Sequence, residues 1–206
     1  MKKHSINMFQ VPPLMVFEYE GDINKLLEYF SNIEYIQEWR SSRSKNTYVL
    51  DDDNLKELRQ FCLNSVYEYV NDVTGADDEI EIQQSWVNLN KTGQELQEHY
   101  HANSFISGVF YLASDPENGA PITFKSELHK SNFSVQSVSK EQNSYYPSTA
   151  DSFTYPSIPG QLILFSSAVS HYVTPHFSDK DRISLSFNTY HKVPFGREVR
   201  LTRVRG

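Results

Sequence analysis

The chain has one cysteine, Cys62, in 206 residues. An intramolecular disulfide is therefore excluded, and nothing points to an oxidising compartment. No apolar run approaches the roughly 18 residues of a membrane span. The basic start Met1-Lys2-Lys3-His4 is not followed by an apolar signal core. The cytoplasm is the expected location, with no membrane partner. Positive charge is in deficit, with 19 Lys and Arg against 26 Asp and Glu and a net charge of -7. That balance argues against a nonspecific nucleic-acid binder, which needs clustered basic side chains. Arg197, Arg200, Arg203 and Arg205 are the one local basic cluster, read as a solvated tail. There is no internal repeat and no long linker, so a single domain over 1–206 is expected.

Aromatic residues, by contrast, are abundant at 14%, including 13 Tyr and 13 Phe, as suits strands with bulky side chains on a pleated face. The pattern changes near residue 78. Before it, helical spacing dominates and predicts a helical support over 20–76. Asp22 can cap a helix whose face carries Ile23, Leu26, Leu27 and Phe30, with Tyr35, Ile36 and Trp39 extending it or forming a second. Residues 40–48 are polar and read as a loop. Asp51, Asp52, Asp53 and Asn54 open another helix, its acidic first turn favoured by the helix dipole. Its stripe runs Leu55, Leu58, Phe61, Cys62, Val66, Tyr69, Val70 and Val73, and Gly75 ends it.

After Asp78 the chain reads as short strands separated by turns, a jelly-roll core over 79–192. Ile80, Ile82, Gln84, Trp86 and Asn88 alternate onto one side of the first; Trp86 and Asn88 could line a pocket there, with the core the expected place for Trp86. Further strands are expected over 94–101, 105–112, 121–128, 160–165, 169–174 and 182–190. The Ser- and Tyr-rich segment 131–157 has no period and is the candidate lid.

Histidine is scarce, at seven residues, and its placement is informative. In a strand alternate residues share a face, so His99 and His101 can point into one cavity. His171 comes from a strand distant in sequence. Together they can make a facial set of three metal ligands with open positions opposite, the arrangement of non-haem iron sites. Eleven residues on, Arg182 and Ser184 share a strand face. A guanidinium fork with an adjacent hydroxyl can hold the far carboxylate of a dicarboxylate such as 2-oxoglutarate. Alternatively, Arg182 is a surface residue paired with Asp179 or Asp181.

The run His99-Tyr100-His101-Ala102-Asn103-Ser104, followed by Ser107-Gly108-Val109-Phe110-Tyr111, resembles core strands of the 2-oxoglutarate/Fe(II) oxygenases found in phages and bacteria. So do 159–165, His171 with Pro175, and 182–188. More widely, residues 80–192 resemble prolyl-hydroxylase-like enzymes. The resemblance implies a mainly β fold with N-terminal helices, built on a double-stranded β-helix of the jelly-roll or cupin-like kind. It implies a dioxygenase that hydroxylates an unidentified substrate with O2 and releases succinate and CO2. Fe(II) would be the metal and 2-oxoglutarate the cosubstrate. By position, His99 matches the first ligand, His171 the distal one, and Arg182 the cosubstrate clamp. Ser184 and Tyr111 match residues that assist that clamp. The wider superfamily has an Asp or Glu where this chain has His101. A neutral imidazole therefore stands in for a carboxylate, or Asn103 serves as the alternative ligand. Two rival readings use the same residues. A three-histidine cupin-like dioxygenase without 2-oxoglutarate leaves Arg182 and Ser184 unexplained. A non-catalytic jelly roll, binding carbohydrate or building a virion, uses only the aromatic richness. Protein side chain, nucleotide, sugar and small acid all stay open as substrate.

Overall fold

The computed structural model describes residues 13–38, 40–75, 79–115, 117–126 and 152–192. Two helices precede most of the sheet. Asp22 caps α1 (Ile23–Ser31), its carboxylate accepting from the backbone N–H groups of Asn24 and Lys25. The acidic run at 51–54 forms two short 3-10 turns rather than the start of a helix, and α2 begins only at Lys56. It ends at Thr74, where Gly75 takes a left-handed φ of 63° that its lack of a Cβ permits.

The strands are β1 (Met15–Glu18), β2 (Tyr35–Gln37), β3 (Ser42–Ser44), β4 (Ile80–Asn90), β5 (Leu96–His99) and β6 (Ile106–Ala113). They continue as β7 (Ile122–Lys125), β8 (Ser152–Tyr155), β9 (Gln161–Ser166), β10 (His171–Val173) and β11 (Arg182–His191). They form a seven-stranded sheet in the order β1-β9-β6-β11-β4-β3-β2 and a four-stranded sheet in the order β5-β10-β7-β8. From β4 onward the chain alternates between the two sheets, except that β7 and β8 follow one another in the smaller one, and β4 lies beside β11 and β5 beside β10 in antiparallel pairs. This is the expected double-stranded β-helix.

Period-two alternation sorts the side chains of the larger sheet. On β6 and β9, Phe110, Leu112, Leu162 and Leu164 join Cys62, Val66 and Phe30 in a core under the helices. Val109, Tyr111, Ile163 and Phe165 face the other way, into a second core with Ile122, Phe124 and Val173 of the smaller sheet. Burying each large apolar side chain contributes about 1.5–3 kcal/mol. The inner layer between the sheets holds the polar side chains taken up below.

Three expectations change. Residues 35–37 and 42–44 pair as a hairpin instead of extending a helix and forming a loop, while Trp39 lies outside the described residues. The β4–β11 ladder is irregular between Asn188 and Thr189, which pair with Gln84 and Ile82 and leave Gln83 as an extra residue. That bulge resets the alternation. Ile80 and Ile82 fall on the helix side, whereas Gln84, Trp86 and Asn88 face the inner cavity, so Trp86 is not core. Of the candidate lid, 131–151 lies outside the described residues, and 152–155 is strand β8, paired with β7. The four C-terminal arginines also lie outside them. Among the described residues no helix is long and apolar enough to cross a membrane.

Candidate functional site

Between the sheets lies a cavity of about 380 Å³, a size that suits small molecules. His99, His101, His171, Arg182 and Ser184 all line it, together with the apolar Leu96, Ile122 and Val173, which are register partners two residues along β10 from His171. Glu38, Arg43, Thr47, Gln84, Trp86 and Asn88 complete much of the lining.

His99 ends β5 and His171 begins β10, and the two are direct register partners. His101 lies just beyond the strand, not in it as expected. Its backbone N–H donates to the Ser167 carbonyl at 3.0 Å, which brings its ring back to the same point. Ring centroids lie 5.1 Å apart for His99 and His101, 4.5 Å for His99 and His171, and 5.2 Å for His101 and His171. One ligand nitrogen from each lies within 4.8 Å of the other two. His171 is buried, His101 half-buried and His99 exposed, so the trio is open on one side.

Local hydrogen bonds orient these rings. His99 Nδ1 donates to the Gln97 carbonyl at 2.6 Å, and His171 Nδ1 to the Val169 carbonyl at 2.9 Å. A carbonyl can only accept, so both Nδ1 atoms carry the proton and both Nε2 lone pairs are bare, as metal ligation requires. Asn188 Nδ2 donates to His101 Nδ1 at 3.2 Å, and Asn188 Oδ1 accepts from the Ser107 hydroxyl at 2.9 Å. A 180° turn of that amide, with the Ser107 hydroxyl rotating to match, would bring its oxygen to the ring and give His101 the same tautomer as its neighbours. Burial lowers His101 to about 4 and His171 to about 3, so both rings are neutral at pH 7. Asn103 is exposed in the following turn with a φ of 56° and does not line the cavity.

Arg182 opens β11 and is only 1% exposed, yet no acidic residue pairs with it among the described residues. Its guanidinium donates to the Ala120 carbonyl at 3.0 Å, the Asn90 side-chain oxygen at 3.4 Å and Ser184 Oγ at 3.2 Å. The surface pairing with Asp179 or Asp181 is therefore not formed. The Tyr111 ring lies 5.3 Å from the guanidinium carbon. Tyr111 is packed in the inner core, and burial raises its phenol to about 12 while Arg182 opposes the rise. Its hydroxyl and Asn90 Nδ2 have no partner among the described residues, although both atoms are buried. A buried cation without an anion, flanked by two unmatched donors, suits a carboxylate ligand.

Sequence reasoning singled out the three imidazoles, Arg182, Ser184 and Tyr111; the first five line one cavity, while Tyr111 lies in the core beside Arg182. It missed Asn90, Asn188 and Arg43. Asn90 and Asn188 could have been found by continuing the period-two series of Gln84, Trp86 and Asn88 and of Arg182 and Ser184; Arg43 carries no local signal.

Residues 84–188, about half of the chain, match the model of a family described as "Putative 2OG-Fe(II) oxygenase". The chain belongs to this family of 2-oxoglutarate/Fe(II)-dependent oxygenases. It is thus an enzyme whose metal is Fe(II) and whose cosubstrate is 2-oxoglutarate, which sets aside the non-catalytic jelly roll. No curated protein sequence matches it. Among solved structures it is similar to HygX from Streptomyces hygroscopicus with nickel, 2-oxoglutarate and hygromycin B bound. Identity is 13%, coverage 85% of this chain and 82% of that one, and the TM-score 0.59. It is also similar to a Pseudomonas putida prolyl-4-hydroxylase, at 13% identity, 85% and 91% coverage and a TM-score of 0.55. The viral collagen prolyl hydroxylase of Paramecium Bursaria Chlorella virus-1 matches at 12% identity, 85% and 94% coverage and a TM-score of 0.55. At these identities the likeness is one of fold.

Proposed function

We propose that His99, His101 and His171 hold Fe(II), and that Arg182, with Ser184 and Tyr111, binds the far carboxylate of 2-oxoglutarate for hydroxylation of a small substrate. The observation that carries this reading is the meeting of three imidazoles on the lining of a cavity that also holds a buried arginine with no acidic partner among the described residues.

When bound, the iron and its keto-acid partner supply the oxidising chemistry, using O2 and releasing succinate and CO2. The protein supplies placement. The carbonyls of Gln97 and Val169 fix two ligand rings, and Asn188 sets the third. Leu96, Ile122 and Val173 give the same cavity an apolar lining, a fit for the methylene segment of the cosubstrate. Gln84, Trp86 and Arg43 line the part of the cavity that a substrate would meet, with Trp86 5.9 Å from His101 between ring centroids.

The test is anaerobic addition of Fe(II) followed by 2-oxoglutarate. A visible charge-transfer band that needs both additions, and that His171→Ala abolishes, is the expected result. A band that persists at full strength in His171→Ala would overturn the assignment of these ligands.

A further inference from the structure

Resting on the reading that Arg182 clamps the far carboxylate, we propose that His176 is a positioning residue for that arginine. It would set cosubstrate affinity without touching cosubstrate or metal. His176 is fully buried on the connection between β10 and β11. Its ring bridges two main-chain groups. Nδ1 accepts from the Ala120 N–H at 3.2 Å, and Nε2 donates to the Lys180 carbonyl at 2.6 Å. An amide N–H only donates and a carbonyl only accepts, so this tautomer is dictated and neither ring nitrogen remains for a metal.

Both partners lead to Arg182. The Ala120 carbonyl receives Arg182 Nε at 3.0 Å. Lys180 stands two residues before Arg182 in the chain. One imidazole therefore fastens the acceptor that holds the guanidinium and also the backbone that delivers it. The His176 main chain is itself braced, its carbonyl accepting from Gly93 N–H at 2.7 Å and its N–H donating to the Gln94 carbonyl at 2.9 Å. Arg182 needs such bracing because its described partners are all neutral. A planar fork binds a carboxylate bidentately only when its plane is fixed, and neutral acceptors hold that plane weakly.

The experiment compares full-length wild type, His176→Leu, His176→Gln and Arg182→Met, each loaded anaerobically with Mn(II). Titration calorimetry measures affinity for Mn(II), for 2-oxoglutarate and for pyruvate, a 2-keto acid without the far carboxylate. For His176→Leu the expected result is roughly tenfold weaker 2-oxoglutarate binding, the scale of one hydrogen bond to a charged group. Mn(II) and pyruvate affinities should stay at wild type, and His176→Gln, whose amide offers an acceptor and a donor, should recover most of the loss. Unchanged 2-oxoglutarate affinity in His176→Leu, alongside a large loss in Arg182→Met, overturns the role of His176 and leaves the clamp standing. No loss in Arg182→Met overturns the clamp itself, and the inference with it. Equal losses for all three ligands would make His176 a general structural residue and also overturn the inference. Should leucine prevent folding, His176→Asn, too short to keep both bonds, carries the same comparison.

Discussion

Replacing Arg182 with methionine should make the ligand-free protein more stable while it weakens cosubstrate binding. The guanidinium is only 1% exposed and has neutral acceptors in place of a carboxylate. Burying an ion without its counter-ion costs several kcal/mol even after relaxation. The Tyr111 ring at 5.3 Å offsets part of that cost, and losing the arginine orphans the Ala120 carbonyl, about 1–3 kcal/mol in the other direction. The balance is a gain of about 1–2 kcal/mol, a rise in Tm of about 2–8 °C for a chain of this size. The same change removes a bidentate charge-assisted pair to the ligand, about 3 kcal/mol, so 2-oxoglutarate should bind roughly 10²-fold more weakly. Differential scanning fluorimetry of the ligand-free protein and calorimetric titration of 2-oxoglutarate read the two effects separately. A lower Tm together with unchanged affinity would refute the reasoning, because Arg182 would then be a structural cation already satisfied by its surroundings.

Acid should destabilise the metal-free protein in a definite window. His101 and His171 are held by burial near 4 and 3, against an ordinary 6.5, so unfolding lets them take up protons. Their stabilising contribution is complete above about pH 6.5 and falls toward pH 4, by at most about 1.4 kcal/mol per pH unit per ring. Urea midpoints at pH 7.5, 6 and 5 should show this slope, and His101→Asn should flatten it. Gly108→Ala would drive a Cβ into the fully buried Phe187 ring and should cost about 1–3 kcal/mol, read from the urea midpoint. Cys62, its thiol pushed up by complete burial, should react with a thiol reagent only as fast as the protein unfolds.

Much of this architecture was legible because its signals are local. Asp22, Gly75 and the apolar stripe of α2 each act within a turn or two of chain. The imidazoles were legible through period-two spacing, although His101 reaches the cavity from a turn tied to Ser167, so the spacing succeeded for an incomplete reason. The hairpin of β2 and β3 was not legible because its buried residues are polar. Ser42 and Ser44 are satisfied by partners that lie elsewhere in the chain or outside any sequence pattern, Ser44 Oγ accepting from Val87 N–H and donating to the Asn46 carbonyl. A single extra residue at Gln83 was enough to move Trp86 from the expected core into the cavity. Asn188 bonds His101 87 residues back, and His176 ties Ala120, 56 residues back, to Lys180, four ahead; no periodicity reports such pairings.

The two halves of the site rest on unequal foundations. Arg182 lies in a ten-residue strand flanked on both sides in the larger sheet, whereas His99 ends a four-residue strand at the margin of the smaller one. That marginal strand is joined to its neighbour at only two register positions, His171 with His99 and Val173 with Leu96, with an irregularity between them. Peeling it away would cost far less than global unfolding. Ageing or gently warmed protein should therefore shed its metal long before the arginine pocket is disturbed, and restoring the ion should revive the enzyme without refolding.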